Sequence, residues 1–353
     1  MEGEGNGKSI EKLRVDIDSI DYKIIDLLLK RNEIAHKVIK LKAASGAPVF
    51  DEERERLIIE KLSRYAGGRL SNDFIEKLAR VFLWESKSIE RPNSFRRRND
   101  KIFSLLATRP AVIAGPCAVE SEEQIMAAAA ALSAAGVKFL RGGAFKPRTS
   151  PDSFQGLGDE GIRLLKAAAA KYGMFSVTEF LEINEIERHY DNVDIIQIGS
   201  RNMTSSGFLK YIAKISSQDC KPIILKRGFG STIKEFLLAR DYLARDGNPN
   251  IALCLRGIRT FEQIESSMRN TADLAAILEL KSLTGSPVFF DPSHSAGRAD
   301  FVPQLAEAAL ALGADGIMFE CHPAPEKALC DGGQCLTLVA SAELSKKVLS
   351  SKP

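Results

Sequence analysis

The sequence is poor in the residues that staple small proteins together. Its 353 residues hold six cysteines and four histidines, too few for a disulfide framework or an array of zinc fingers. It lacks any apolar run approaching the ~20 residues of a membrane-spanning helix. Its start, Met1-Glu2-Gly3-Glu4-Gly5-Asn6-Gly7, has no signal-peptide core. Neither sign of charge dominates: 49 Lys and Arg stand against 46 Asp and Glu, a net +3. That balance disfavours a general binder of nucleic acid or membrane surfaces. The expectation is a soluble, cytoplasmic protein with reduced thiols, with no nucleic-acid and no membrane partner.

What is present changes character partway along the chain. Over residues 9–89, Ile10, Leu13, Ile17, Ile20, Ile24, Leu27, Leu28, Ile34, Val38 and Leu41 recur at helical steps. Gly46-Ala47-Pro48 and Gly67-Gly68 punctuate the pattern into one long helix and two shorter ones. Residues 1–91 are therefore read as an all-helical domain. Residues 92–110 read as a linker, with Pro92, the run Arg96-Arg97-Arg98, Pro110 and a short helical piece near 102–106. Residues 111–353 alternate short apolar runs (111–114, 137–140, 175–178, 194–198, 222–225, 251–255, 287–290, 316–319) with helical stretches. Eight such units match an α/β fold, a (β/α)8 TIM barrel, in number and length. A doubly wound open sheet is the alternative.

Polar residues gather where these runs end. Cys117, Arg141, Glu179, Arg201, Lys226, Arg256, His294 and Glu320 each follow or close a run. In a barrel such positions share the C-terminal face, where active sites are built. Arg141, Lys146, Arg148, Arg201, Lys226 and Arg256 form a cationic set suited to phosphate and carboxylate groups. Ordinary surface charge explains any one of them but predicts no clustering at strand ends. Cys117, His294, Glu320 and Asp331 offer sulfur, nitrogen and oxygen donors suited to a divalent transition metal. Each also has a plainer explanation, as a buried cysteine or a hydrogen-bonded residue at the barrel mouth.

Several segments closely resemble 3-deoxy-D-arabino-heptulosonate 7-phosphate (DAHP) synthases of type I-beta. They are Ala114-Gly115-Pro116-Cys117-Ala118-Val119-Glu120-Ser121, Arg141-Gly142-Gly143-Ala144-Phe145-Lys146-Pro147-Arg148-Thr149-Ser150, Gly199-Ser200-Arg201-Asn202-Met203 and Asp291-Pro292-Ser293-His294-Ser295-Ala296-Gly297. The resemblance spans residues 110–335 and implies condensation of phosphoenolpyruvate with erythrose 4-phosphate, the entry to the shikimate pathway. It implies Cys117, His294, Glu320 and Asp331 as metal ligands, with Mn2+ first and Fe2+, Co2+ or Zn2+ as alternatives. Arg141, Lys146, Arg201, Lys226 and Arg256 match phosphoenolpyruvate positions, and Arg148 and Thr149 match contacts to the sugar phosphate. Lys146, Lys226 and His294 are the catalytic candidates of the barrel. Leu255, Asp152 and Cys321 depart from the family's usual Glu, Tyr and Val. The related 3-deoxy-D-manno-octulosonate 8-phosphate synthases are an alternative family, and they carry a different segment in place of Lys146-Pro147-Arg148-Thr149-Ser150. A Schiff-base aldolase using Lys226 is the mechanistic rival.

In the helical half, Arg14, Arg31, Lys42, Asp51, Arg54, Glu55, Ser86 and Glu90 fall at the spacings of the all-helical, AroQ-type chorismate mutases. Arg31 and Lys42 return to within ~20° of one helix face, ~16 Å apart, while Arg14 lies ~25 Å from Arg31 and off that face. The resemblance therefore implies a homodimer, with Arg14 contributed by the partner chain, and barrel association into a tetramer. Lys42 and Glu90 are the catalytic candidates, and Arg14, Arg31, Asp51, Glu55 and Ser86 the binding ones. Glu90 stands where many relatives have Gln, and a Glu donates a hydrogen bond only when protonated. Mutase activity is thus expected to fall above neutral pH. The alternative is a regulatory module that senses chorismate or prephenate. His36 and His189 read as solvated or capping, His322 as a partner to the metal ligands, and Cys330 and Cys335 as free thiols open to inactivating oxidation.

Overall fold

The computed structural model describes residues 3–45, 52–88, 93–108, 110–146, 152–261 and 270–351. The chain divides into two compact units, Met1–Pro92 and Asn93–Pro353. The first is helical: α1 (Gly3–Ser45), α2 (Glu52–Ala66) and α3 (Asn72–Ser88). No proline interrupts α1, so it runs unbroken for 43 residues. Gly67 and Gly68, both at positive φ, end α2. The Ser71 hydroxyl accepts from the Phe74 N–H at 3.2 Å and caps α3. Ala66, Ile75 and Ala79 are buried here, whereas Leu13, Ile17, Ile20, Ile24 and Leu27 of α1 stay exposed.

The second unit opens with α4 (Asn93–Leu106). Strands and helices then alternate: β1 (Ala111–Gly115), α5 (Glu122–Ala134), β2 (Phe139–Arg141), α6 (Asp159–Lys171), β3 (Phe175–Glu179), α7 (Ile183–His189), β4 (Ile195–Ile198) and α8 (Ser206–Ser216). They continue as β5 (Ile223–Lys226), α9 (Ile233–Ala244), β6 (Ile251–Leu255), α10 (Ala275–Leu283), β7 (Val288–Phe290), the short α11 (Pro292–Ala296), α12 (Val302–Ala311), β8 (Gly316–Glu320) and α13 (Leu338–Ser350). The strands pair in parallel and β1 also pairs with β8, closing an eight-stranded barrel. Closure removes the open sheet as a description of this chain.

Every second residue of a strand points inward, so Ile113, Phe139, Val177, Ile195, Ile224, Ala252, Cys254, Phe289 and Met318 fill the barrel. Residues 92–110, read from sequence as a linker, contain a full helix instead. Asn99, Ile102 and Leu106 of α4 recur at helical spacing and are buried. Ile102 and Leu106 join the interior cluster beside Ala111, the first residue of β1. The Asn99 amide donates to the Asp219 carbonyl at 3.0 Å, and the Asn250 amide donates to Asp100 at 2.9 Å. α4 thus closes the N-terminal end of the barrel and leaves the opposite end open. His189 is also less exposed than its sequence position implies: it is buried, pairs with Asp159 at 2.8 Å and packs on Phe145.

Candidate active site at the C-terminal mouth of the barrel

Parallel strands of similar length bring their last residues to one rim. Arg141, Glu179, Lys226 and Glu320 are the terminal residues of β2, β3, β5 and β8. With Lys146, Arg201, Arg256, His294 and Asp331, the first three of these strand-end residues line a cavity of about 120 Å3. Gln197, Gly199, Ser200 and Phe229 complete the wall. A Cβ at Gly199 would come within 1.7 Å of a Glu179 carboxylate oxygen, so a larger residue there would displace that side chain. Glycine is required at Gly115, at the end of β1, where a Cβ would meet the Arg141 backbone carbonyl at 2.0 Å.

One carboxylate organises the floor. Asp291 is fully buried and caps α11, accepting the His294 backbone N–H at 3.0 Å. Its other oxygen accepts from His294 Nδ1 at 2.7 Å and is ion-paired with Lys226. Burial alone would raise the Asp291 pKa, but His294, Lys226 and Arg141 hold it well below the usual carboxylate range. Burial pushes His294 down, so the imidazole is neutral near pH 7. With Nδ1 committed to Asp291, its Nε2 turns toward Glu320, 3.6 Å away. Lys226 is the cation of a buried pair, which disfavours it as the neutral amine of a Schiff-base mechanism.

Glu320 is likewise fully buried. Arg141 lies 2.8 Å from one oxygen, and the Gln334 amide donates to the other at 2.6 Å. Burial opposes ionisation, yet His294, Arg141 and Lys146 hold this carboxyl at about 2. Lys146 donates to the Cys117 carbonyl at 3.0 Å and to Cys117 Sγ at 3.1 Å. Cys117 Sγ also lies 2.8 Å from Cys330 Sγ and 3.4 Å from Asp331. That shared contact pushes the Cys117 thiol up and the Cys330 thiol down.

The donor chemistry fits a divalent transition metal. Donor atoms of His294, Glu320 and Asp331 lie within 4.8 Å of one another, as do those of Cys117, Cys330 and Asp331. The ionised carboxylate and the neutral imidazole are ligands in the protonation states a metal requires, and the Lys146 ammonium beside Cys117 would offset the charge of a thiolate formed on metal binding. The imidazole is oriented by a carboxylate behind it, as metal-binding histidines commonly are.

The structure therefore gathers Cys117, Arg141, Lys146, Arg201, Lys226, Arg256, His294, Glu320 and Asp331 around one mouth. Arg148 and Thr149 lie outside the described residues. Leu255 lies off the cavity wall: Ala252 and Cys254 of β6 face inward, so Leu255 turns toward the surrounding helices. In the sequence, Gln334, Phe229 and Gln197 have no role, Asp291 stands only as part of a strand-end motif, and Cys330 reads as a free thiol rather than a member of the donor set. Asp291 carried a signal, an N-cap residue followed by proline at a strand end, whereas Gln334 and Cys330 reach the site by contacts with no local signature. His322, expected to support the metal ligands, instead pairs through Nε2 with Glu120 at 3.2 Å and accepts the Ala324 N–H through Nδ1 at 3.1 Å.

In the helical unit, Arg31 donates to the Phe82 carbonyl at 2.9 Å and its guanidinium sits 5.5 Å from the Phe82 ring. Burial lowers the Arg31 pKa. Lys42 lies near the end of α1, Arg54 and Glu55 lie in the first turn of α2, and Arg14 is exposed beside Glu11. Ser86 falls within α3, while Asp51 and Glu90 lie outside the described residues.

Residues 97–352 match the model of the DAHP synthetase I family, and residues 13–91 match that of chorismate mutase type II. A phospho-2-dehydro-3-deoxyheptonate aldolase of Thermotoga maritima is 50% identical over 237 residues, covering 67% of this chain and 68% of that protein. A 2-dehydro-3-deoxyphosphooctonate aldolase of Francisella tularensis is 31% identical over 68% of this chain and 87% of its own length. The crystal structure of the Thermotoga aldolase, described as a DAHP synthase, superposes with a TM-score of 0.63 at 49% identity, over 67% of this chain and 68% of that one.

Proposed function

The chain belongs to the DAHP synthetase I family, and from that premise we propose that its barrel condenses phosphoenolpyruvate with erythrose 4-phosphate to give DAHP and inorganic phosphate. We propose further that the helical unit rearranges chorismate to prephenate. The observation that carries the first reading is one cavity with five cations on its wall and a buried sulfur, nitrogen and oxygen donor set at its edge.

Arg201, Arg256 and Arg141 hold the phosphate and carboxylate of phosphoenolpyruvate, since guanidinium forks match both groups. Lys226, fixed by Asp291, adds a point charge that does not need to reorganise as phosphate charge develops. Cys117, His294, Glu320 and Asp331 would hold a divalent ion, Mn2+ first, with Fe2+, Co2+ or Zn2+ as alternatives, and together they would present it to the aldehyde carbonyl, where it would supply Lewis-acid chemistry when bound. Lys146, held beside Cys117, is placed to deliver a proton to the aldehyde oxygen as the new carbon–carbon bond forms. Water then adds at the carbon bearing the phosphate, and phosphate leaves. Arg148 and Thr149 contact the sugar phosphate.

In the mutase reaction no nucleophile is needed; the site must hold chorismate compact and stabilise charge on the breaking ether oxygen. Arg31, Lys42, Asp51, Glu55, Ser86 and Glu90, with Arg14 of a second chain, form that site. The exposed apolar residues of α1 support a homodimer through this unit. Tetramer formation and a cytoplasmic location are part of the same proposal; among the described residues no helix is long and apolar enough to cross a membrane.

The test uses the full chain. Phosphate should be released only with both phosphoenolpyruvate and erythrose 4-phosphate, should stop with EDTA and should return with Mn2+. EDTA-resistant turnover with inactivation by borohydride plus substrate would overturn the metal reading. The octulosonate-type relatives favour one competing reading, a five-carbon aldehyde acceptor. Preferred turnover of a five-carbon aldose phosphate over erythrose 4-phosphate would establish it. Chorismate loss should decline above neutral pH, and Glu90→Gln should flatten the profile between pH 5 and 9. Chorismate binding without loss would make the unit a sensor.

A further inference from the structure

The family resemblance assigns one sulfur to the metal, but the structure brings two. Cys117 Sγ and Cys330 Sγ lie 2.8 Å apart, and both belong with Asp331 to a group whose donor atoms fall within 4.8 Å. Asp331 is shared with the other group, His294 and Glu320. We infer that Cys330 is a further metal ligand, giving the centre a two-thiolate mode, through Cys117, Cys330 and Asp331, that favours thiophilic divalent ions. The inference rests on reading this site as a metal centre.

Adjacent side chains of an extended segment point to opposite faces, so neighbours such as Cys330 and Asp331 would ordinarily not serve one ion. Here Asp331 is left-handed, with φ 50° and ψ 34°. The alternation is broken, and both side chains approach Cys117. The turn is fixed on either side. Glu120 accepts the Leu329 N–H at 3.0 Å, and the Asp331 carbonyl accepts from Gln334 at 3.2 Å. A Cβ on Gly332 would meet the Pro325 carbonyl at 2.2 Å, so the chain is pressed close at this point.

Buried cysteine is commonly plain core, and Cys254 behaves that way within the barrel's apolar cluster. Cys330 has different company: a second sulfur, a carboxylate one residue away and, across Cys117, the Lys146 ammonium. That ammonium offsets the charge of an added thiolate. Thiolate sulfur prefers Zn2+ or Cd2+, while Mn2+ prefers oxygen and gains little from it.

The experiment titrates Co2+ into the full chain, stripped of metal and kept reduced, and follows the near-ultraviolet sulfur-to-cobalt charge-transfer band. Its intensity grows with the number of cobalt–sulfur bonds. Cys330→Ser and Cys330→Ala should each lose about half the native band, and Cd2+ affinity should fall roughly tenfold or more with Mn2+ affinity nearly unchanged. An undiminished band in both variants would overturn the inference and leave the metal centre standing. Equal losses for Cd2+ and Mn2+ would overturn it too, because damaged packing does not discriminate between ions. No band in the native chain would remove the metal reading itself. Phosphate release by the Mn2+-loaded native chain reports on the synthase reading separately.

Discussion

Asp291 and His294 are joined twice, by a backbone cap at 3.0 Å and a side-chain contact to Nδ1 at 2.7 Å. The first contact sets the turn of α11, and the second leaves Nε2 as the ring nitrogen that faces the donor set. Because the same carboxylate neutralises Lys226, one residue supports both the metal side and the phosphate side of the mouth.

Asp291→Asn should therefore damage both. An amide cannot match the negative charge behind the imidazole, and metal affinity should fall about 10–100-fold. Losing the buried counter-charge of Lys226 should cost on the order of 3–5 kcal/mol of stability. Metal titration and denaturant unfolding of the same variant measure the two effects. Unchanged metal affinity would show that His294 needs no such support.

The folded-state pKa of Glu320 is about 2, against an ordinary 4.5. A depressed carboxyl contributes stability that is present above its unfolded value and lost as pH falls through its folded one. The metal-free chain should accordingly lose on the order of 3 kcal/mol from this group between about pH 4.5 and pH 2. Asp291 is also held below the usual carboxylate range and contributes in acid, so the native curve alone does not isolate Glu320. Glu320→Gln should remove its share of the slope in acid unfolding, and an identical slope would place the effect elsewhere.

Leu255 shows what the sequence could and could not convey. The period of the strands and the polar residues at their ends are local signals, so the barrel and most of its cationic rim are legible in order along the chain. Which side of a strand a terminal residue faces depends on closure, so Leu255, standing before Arg256 where the family usually has Glu, gives no sign in the sequence of which way it turns. In the barrel it pairs in register with Phe290, while inward Cys254 pairs with Phe289, and both Leu255 and Phe290 are buried outside the barrel interior. The contact of Cys117 with Cys330 spans 213 positions and leaves no trace in either segment. Likewise the burial of α4 depends on the open barrel end it fills, and the run Arg96-Arg97-Arg98 masks its apolar face. Leu255→Ala should lower stability by about 2–5 kcal/mol and leave the KM for phosphoenolpyruvate within about twofold. A large KM change with intact stability would return Leu255 to the substrate.

Phe229 brings an aromatic ring to a cavity wall of mostly charged and polar residues, and three guanidiniums surround it. Arg256, Arg259 and Arg201 lie 4.9, 5.0 and 5.4 Å from its centroid. Like charges so close would spread apart, but an aromatic face attracts each by about 0.5–2 kcal/mol and fixes the plane of the fork. Arg201 and Arg256 also line the cavity, so their alignment decides how well phosphate is met. Phe229→Leu keeps the volume apolar and removes the quadrupole. It should raise the KM for phosphoenolpyruvate about tenfold, the loss of two weak interactions near 0.7 kcal/mol each, with kcat within about threefold. Phe229→Trp should retain most of the affinity, because indole offers a stronger face. A fall in kcat at unchanged KM would assign the ring to the reacting centre, and no change in either would reduce it to packing.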